Sequence, residues 1–299
     1  MGSAYNKDMA AEAEFSLIET ILWTRSSGYV LLPYHLRRIA ASAECLGFRC
    51  DPDEIACTLQ GCADNLTAEP FWKIRLMLAS DGALSVSASP IEPPGYKEPI
   101  PRAVISTIAV SSADAMLRHK TTRRALYDAE FKTWSARTGC FDVIFVNERA
   151  EVTEGARTNL FIQRGAAILT PPLEGGLLDG TLRKWMLDSQ AMRTSECVLT
   201  VADLASADRI FLGNSVRGLV EVRSTSRAAA GATHLLQRPE RLVPRRREDR
   251  RGNRVDVVPL PGRGPHLRSA HTASTGAMRK ESWSGIRRST GRGDPCTQC

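Results

Sequence analysis

Residues 118 to 124 read Arg118-His119-Lys120-Thr121-Thr122-Arg123-Arg124, a lysine set among cations and hydroxyls just ahead of a helical pattern. A lysine amine attacks a carbonyl carbon only when neutral, and nearby cations or a dry pocket lower its pKa toward neutrality. Arg118, His119, Arg123 and Arg124 supply positive neighbours in sequence, although spacing alone leaves their side-chain directions open. An exposed helix start would carry the same charges, so the chemistry depends on what accompanies Lys120. Downstream stand the carboxylate Glu154, in Glu151-Val152-Thr153-Glu154-Gly155, and the polar pair Thr158-Asn159. Other chemistries lack their residues. There is no GxGxxG after a strand, no GxxxxGK[ST] loop, no HExxH and no GxSxG. Of five histidines only His35 and His119 precede residue 224, which leaves neither a metal site nor a histidine triad to assemble.

The elements that must position these residues follow from periodicity. Phe15 to Trp23 is apolar and of strand length, Ser26-Ser27-Gly28 reads as a turn, and Tyr29 to Leu32 as a second strand. After Pro33 a helix is predicted with Leu36, Ile39, Ala40, Ala43 and Leu46 on one face, stopped by Gly47. Asp51-Pro52-Asp53 opens another. Phe71 to Leu78 and Leu84 to Ser87 form a hairpin turned at Asp81-Gly82. Ala103 to Val110 is a strand, Arg123 to Arg137 a helix and Phe141 to Val146 a buried strand. Thr158 to Ile162 and Ala166 to Leu169 continue the strands, and Thr181 to about Ala191 is helical. Cys197 to Val201, Arg209 to Leu212 and Leu219 to Val222 are the last strands, with a short helix near Leu204. Strands and helices without strict alternation predict an α+β fold, with a small domain over 1–110 and a larger one over 111–223.

The chain has 299 residues, 42% of them hydrophobic, enough for one large or two medium cores. No run approaches the roughly 18 to 20 apolar residues of a membrane span, and no secretory leader is visible, so a cytoplasmic protein is expected. The net charge of +7 misleads. Residues 224–299 hold 16 Lys and Arg against 6 Asp and Glu, leaving 24 against 27 before them. That basic segment is rich in Arg, Gly, Pro and Ser and is read as a disordered tail. Its arginine runs would attract nucleic acid or anionic membrane. No aromatic interleaving or folded module accompanies them, so a solvated tail is favoured over nucleic-acid binding. The eight cysteines are scattered, with one CxxC at Cys296 and Cys299, a weak metal signal without a second ligand pair.

Six motifs recur in an order that resembles the class IV pyridoxal-phosphate aminotransferase family. They are His119-Lys120-Thr121-Thr122 with Arg124 and Tyr127-Asp128; Asp142-Val143 with Phe145 and Asn147-Glu148; and Glu151 to Gly155 with Thr158-Asn159-Leu160-Phe161. Leu169-Thr170-Pro171-Pro172, Gly176 to Arg183 and Gly213 to Gly218 complete the series. The resemblance covers about residues 15 to 222. It is nearest to 4-amino-4-deoxychorismate lyase, in particular the lyase segment of synthase–lyase fusions. It implies a two-domain fold of type IV, like that of D-amino-acid aminotransferase, pyridoxal 5'-phosphate as cofactor and a homodimer.

The resemblance also implies roles. Lys120 links the cofactor and moves the proton, while Glu154 pairs with the pyridinium nitrogen. Arg38, the amides of Gly180, Thr181 and Leu182, and the Asn214-Ser215 loop hold the phosphate, with Thr158 and Asn159 beside them. Arg75 either meets a substrate carboxylate or is a plain strand charge. Branched-chain enzymes carry a tyrosine five residues after the lysine; Ala125 stands there, and Tyr127 reads equally as helix packing. The implied activity is loss of pyruvate from aminodeoxychorismate to give 4-aminobenzoate for folate synthesis. The rivals are a branched-chain or D-amino-acid aminotransferase taking an amino acid, an inactive copy, and a nucleic-acid binder working through its basic tail.

Overall fold

The computed structural model describes residues 15–225, residue 96 excepted. Its first half is a four-stranded antiparallel sheet in the order β2-β1-β3-β4. These strands are β1 (Leu17–Thr24), β2 (Gly28–Tyr29), β3 (Phe71–Leu78) and β4 (Leu84–Pro90). Two helices, α1 (Leu32–Leu46) and α2 (Pro52–Asp64), cover one face. On β3 the even positions Trp72, Ile74, Leu76 and Leu78 are buried among Ile39, Ala43, Ile55 and Leu59 of the helices. Successive strand residues face opposite sides, so Arg75 points away from this core, directly across from Thr20 of β1.

Pro at the first turn and Gly47 at φ 70° bound α1, as its sequence predicts. The expected strand Tyr29–Leu32 is reduced to the two residues of β2. Leu31 takes a left-handed conformation and Pro33 fixes a helical φ, so the chain turns into α1 at once. The buried face of α1 is also rotated from the expected one, carrying His35, Ile39, Ser42 and Ala43.

The second sheet has nine strands, in the order β10-β9-β8-β12-β13-β5-β6-β7-β11. They are β5 (Arg102–Val110), β6 (Asp142–Asn147), β7 (Glu151–Gly155), β8 (Asn159–Arg164), β9 (Ala167–Thr170), β10 (Thr194–Glu196), β11 (Leu199–Thr200), β12 (Arg209–Asn214) and β13 (Gly218–Thr225). A further pairing of β7 with β8, at Glu154 and Asn159, closes six of these strands into a ring. Ile105, Ile144, Val152, Leu160, Leu212 and Val220 fill one core of this unit. Around it lie α3 (Ala125–Thr138), α4 (Thr181–Asp188) and α5 (Val201–Ser206). The sheet changes between Pro90 and Arg102, so β5 joins the larger unit and the division expected at residue 110 moves earlier. The helix expected to run to about Ala191 ends at Asp188; of the strand expected over 197–201 only Leu199–Thr200 (β11) is one, Val201 already opening α5, and β10 precedes it as a separate strand. β13 runs to Thr225, past the expected tail boundary; the remainder of the tail lies outside the described residues.

Candidate active site

Lys120 is placed by β1. Its carbonyl accepts the Ile18 amide at 2.8 Å, and the Thr122 amide donates to the Ser16 carbonyl at 2.9 Å. The Ser16 amide in turn donates to the Thr122 hydroxyl. The lysine is therefore held on extended backbone at the edge of the small sheet, before α3 begins. Its side chain projects into a cavity of about 340 Å³ between the two sheets. Burial lowers its pKa from 10.5 to about 8, assisted by Arg38 and Arg124 and opposed by Glu19 and Glu154.

Glu154 meets the same cavity from β7, at the seam where the ring closes. The Asn159 side chain donates to it at 3.4 Å and to the Leu178 carbonyl at 2.9 Å. Burial raises its pKa from 4.5 to about 8, against the lowering effects of the Leu178 backbone, Lys120 and Arg124. A buried carboxyl and a buried amine facing one space are thus each held near neutrality.

Arg38 enters from α1 as a fork on Glu19, with Nε at 2.8 Å and Nη2 at 2.7 Å, and its Nη1 donates to the Asp179 carbonyl. Glu19, 1% exposed, also accepts from His35 Nδ1 at 2.6 Å. Burial alone would raise the Glu19 pKa, but Arg38 and His35 together bring it to about 2. His35 is held below its usual pKa chiefly by burial. As the neutral imidazole it donates through Nδ1 and leaves Nε2 to the Thr181 hydroxyl, 3.4 Å away. Sequence reasoning had no reason to single out Glu19 or His35. Arg38 spends three of its five N–H groups on these partners and keeps two.

The cavity floor is the N-terminus of α4, which no side chain caps. Gly180 and Thr181 line the cavity, whereas the Leu182 side chain is packed in the core beside Phe161 and Phe211. The Gly180 amide donates to the Leu178 carbonyl, which leaves Thr181 as the lining residue with an uncommitted amide. A Cβ on Gly180 would lie 1.8 Å from Asn159 Oδ1, so only glycine fits this approach.

Arg75, Thr158, Asn159, Asn214 and Ser215 also line the cavity. Several have their polar groups engaged elsewhere. The Thr158 hydroxyl donates to Asp142 at 2.8 Å. Asn214 accepts the Val216 and Arg217 amides and donates to the Arg157 carbonyl, shaping the turn between β12 and β13. The Ser215 hydroxyl reaches the Thr20 carbonyl at 3.4 Å. Arg124 is paired with Asp128 and the Ala156 carbonyl, and contributes to the cavity as a fixed positive field.

Tyr127 packs on Phe145 with ring centroids 4.6 Å apart, and its buried hydroxyl has no hydrogen-bond partner. Burial and the Glu154 charge push its pKa up. The hydroxyl lies close enough to Glu154 to interact with it, short of a well-formed hydrogen bond, on the wall of the cavity that Lys120 also lines. With two spare Arg38 donors and an uncapped helix end, the cavity suits a small ring that carries a phosphate. Among the described residues no group of His, Cys, Asp and Glu is placed to hold a metal, and no helix is long and apolar enough to cross a membrane.

The profile for amino-transferase class IV matches residues 16–225. A Schizosaccharomyces pombe protein named "Putative aminodeoxychorismate lyase" is 29% identical over 209 residues, 68% of this chain and 87% of that one. The crystal structure of a "Putative amino-acid aminotransferase" from Mesorhizobium loti shares 36% identity at a TM-score of 0.65, covering 70% of this chain and 99% of its own. The PLP-bound form of a hypothetical aminotransferase from Mycobacterium tuberculosis shares 25% identity at a TM-score of 0.58, covering 70% and 80%.

Proposed function

Because the chain belongs to the class IV aminotransferases, α+β enzymes of fold type IV that depend on pyridoxal 5'-phosphate, we propose that it is a 4-amino-4-deoxychorismate lyase. The observation that carries the cofactor assignment is the buried Lys120–Glu154 pair, the amine's pKa lowered and the carboxyl's raised by burial, across a cavity floored by an uncapped helix end. The lyase reading draws on the relative of that name, which is aligned over most of its length. When bound, pyridoxal phosphate supplies an aldehyde for an amine and a protonated ring that accepts the electron pair left by a broken C–H bond.

The residues divide the work. Lys120 would hold the cofactor, and its amine, when free, would take the proton from substrate C4. An amine poised near 8 both accepts and returns that proton at neutral pH. Loss of the enolpyruvyl group from the neighbouring carbon then aromatises the ring, and Lys120 delivers the proton to the departing enol carbon, giving pyruvate and 4-aminobenzoate. Glu154 would pair with the cofactor's ring nitrogen and keep it protonated. Arg38 and the Thr181 amide would hold the phosphate, the arginine giving two fixed donors where a lysine would give a point charge. Gly180 and Ser215 complete that wall. Asn159 orients Glu154, while Thr158 and Asn214 act by fixing the loops around Asp142 and Arg217. Arg75 meets a substrate carboxylate. A cytoplasmic homodimer is part of the same proposal.

A second reading, amino transfer on the same site, is favoured by the Mesorhizobium loti structure. The spectrum of the purified protein tests what the two share. The cofactor's visible band should be present, be lost in Lys120→Ala, and change when aminodeoxychorismate is added. A wild-type protein without bound pyridoxal phosphate contradicts both readings.

A further inference from the structure

Six arginines and Lys120 line the cavity against two carboxylates, Asp128 and Glu154. The surplus becomes informative once the arginines are sorted by what they already hold. Arg38 is forked on Glu19, and Arg124 is paired with Asp128. Arg157 is near Asp142, donates to the Phe141 carbonyl and stacks 3.5 Å over the Phe131 ring. Arg123 lies over Phe15. Arg75 and Arg217 alone make no side-chain hydrogen bond or ion pair to any described residue.

The turn that carries Arg217 is fixed. The Asn214 side chain accepts its amide at 2.9 Å, fixing the turn that carries it, and Gly218 follows at φ 67°. Its guanidinium is part-buried; burial lowers its pKa, opposed by the charge of Asp142, a carboxylate already committed to the Thr158 hydroxyl and the Arg157 and Val143 amides. Arg157 is a like-charged neighbour. A desolvated guanidinium beside another cation is costly until an anion meets it. Arg75 lines the same cavity, and Ser215, two residues before Arg217, bonds the carbonyl of Thr20, the residue directly across from Arg75.

We propose that Arg217 determines substrate specificity: with Arg75 it forms a second anion site in the cavity, beside the one assigned to the phosphate, that receives a substrate carrying two carboxylates. Each planar fork matches one carboxylate. A substrate with an apolar side chain leaves one fork desolvated and unpaired, and sites built on buried polar groups reject such analogues strongly. This deepens the lyase reading, whose substrate carries a ring carboxylate and a second on the enolpyruvyl group.

The test uses the full-length holoenzyme and two stable probes, 3-(carboxymethoxy)benzoate and its monoacid counterpart 3-methoxybenzoate, with affinities measured by calorimetry. Wild type should prefer the diacid by about ten- to hundred-fold, the range of a charge-assisted bond. Arg217→Gln should remove that preference while leaving monoacid affinity within about two-fold; Arg217→Lys should restore part of it. An unchanged cofactor band and melting temperature show that the variants are folded. Equal binding of the two probes by wild type overturns the proposal, as does an equal loss of both in Arg217→Gln. The lyase reading fails separately. If wild type releases no pyruvate yet prefers the diacid through Arg217, the anion site stands and the lyase assignment falls.

Discussion

Replacing Glu19 by glutamine removes the carboxylate that ties β1 to α1 and keeps both His35 and Arg38 in place. The magnitude follows from its titration. A carboxyl at about 2 in the folded chain against 4.5 unperturbed is worth about 3 kcal/mol at neutral pH, at roughly 1.4 kcal/mol per unit. Removing one partner of a buried ion pair costs about 3–5 kcal/mol in general, so two routes give the same size. Because the folded pKa is depressed, the contribution is full above pH 4.5 and is lost as pH falls from 4.5 through 2. Urea unfolding of wild type and Glu19→Gln, both freed of cofactor, should differ by about 3 kcal/mol at pH 7 and by about half that at pH 3. A difference below about 1 kcal/mol at pH 7, or one unchanged at pH 3, would refute the reasoning that this network is an ionised, buried anchor.

Glu154 gives the opposite sign. Its folded pKa is raised to about 8, so its contribution to stability of the cofactor-free protein is full below 4.5 and is lost as pH rises toward 8. Glu154→Gln should flatten that decline in a series of urea midpoints from pH 5 to 8.5; an equally steep decline in the variant would contradict the shift. Gly180→Ala puts a methyl 1.8 Å from Asn159 Oδ1 and should cost about 1–3 kcal/mol in thermal unfolding, together with weaker retention of the cofactor band on dialysis. A melting temperature equal to wild type would show that the approach of these two chains is looser than described.

The chemistry-bearing residues were legible because they sit in contiguous motifs: Lys120 inside His119 to Thr122, Glu154 four residues before Thr158. What the motifs could not show is what supports them. Glu19 lies between Leu17-Ile18 and Ile21-Leu22 and reads as a polar interruption in a strand; its partners stand 16 and 19 positions on, in another element. His35 and Ser42 rotate the buried face of α1 because they are polar yet buried, so hydrophobic periodicity alone points elsewhere. β7 escaped notice for a similar reason. It is five residues with two glutamates, and it is a strand because it closes the ring on β8, a non-local pairing. Tyr127 is the single buried residue of α3, and its unpartnered hydroxyl is visible only when Phe145 and Glu154 are brought beside it. Arg217 stands inside the Gly213 to Gly218 motif, but what sets it apart from the other cavity arginines is their engagement with partners distant in sequence.

The most direct test is to supply the pyridoxal-phosphate-loaded enzyme with aminodeoxychorismate, and separately with branched-chain amino acids and 2-oxoglutarate. Pyruvate, 4-aminobenzoate and glutamate are then quantified. The account predicts pyruvate and 4-aminobenzoate in equal amounts, none of either from Lys120→Ala, and no glutamate above background. Glutamate formation without pyruvate would contradict it and assign the same cavity to amino transfer.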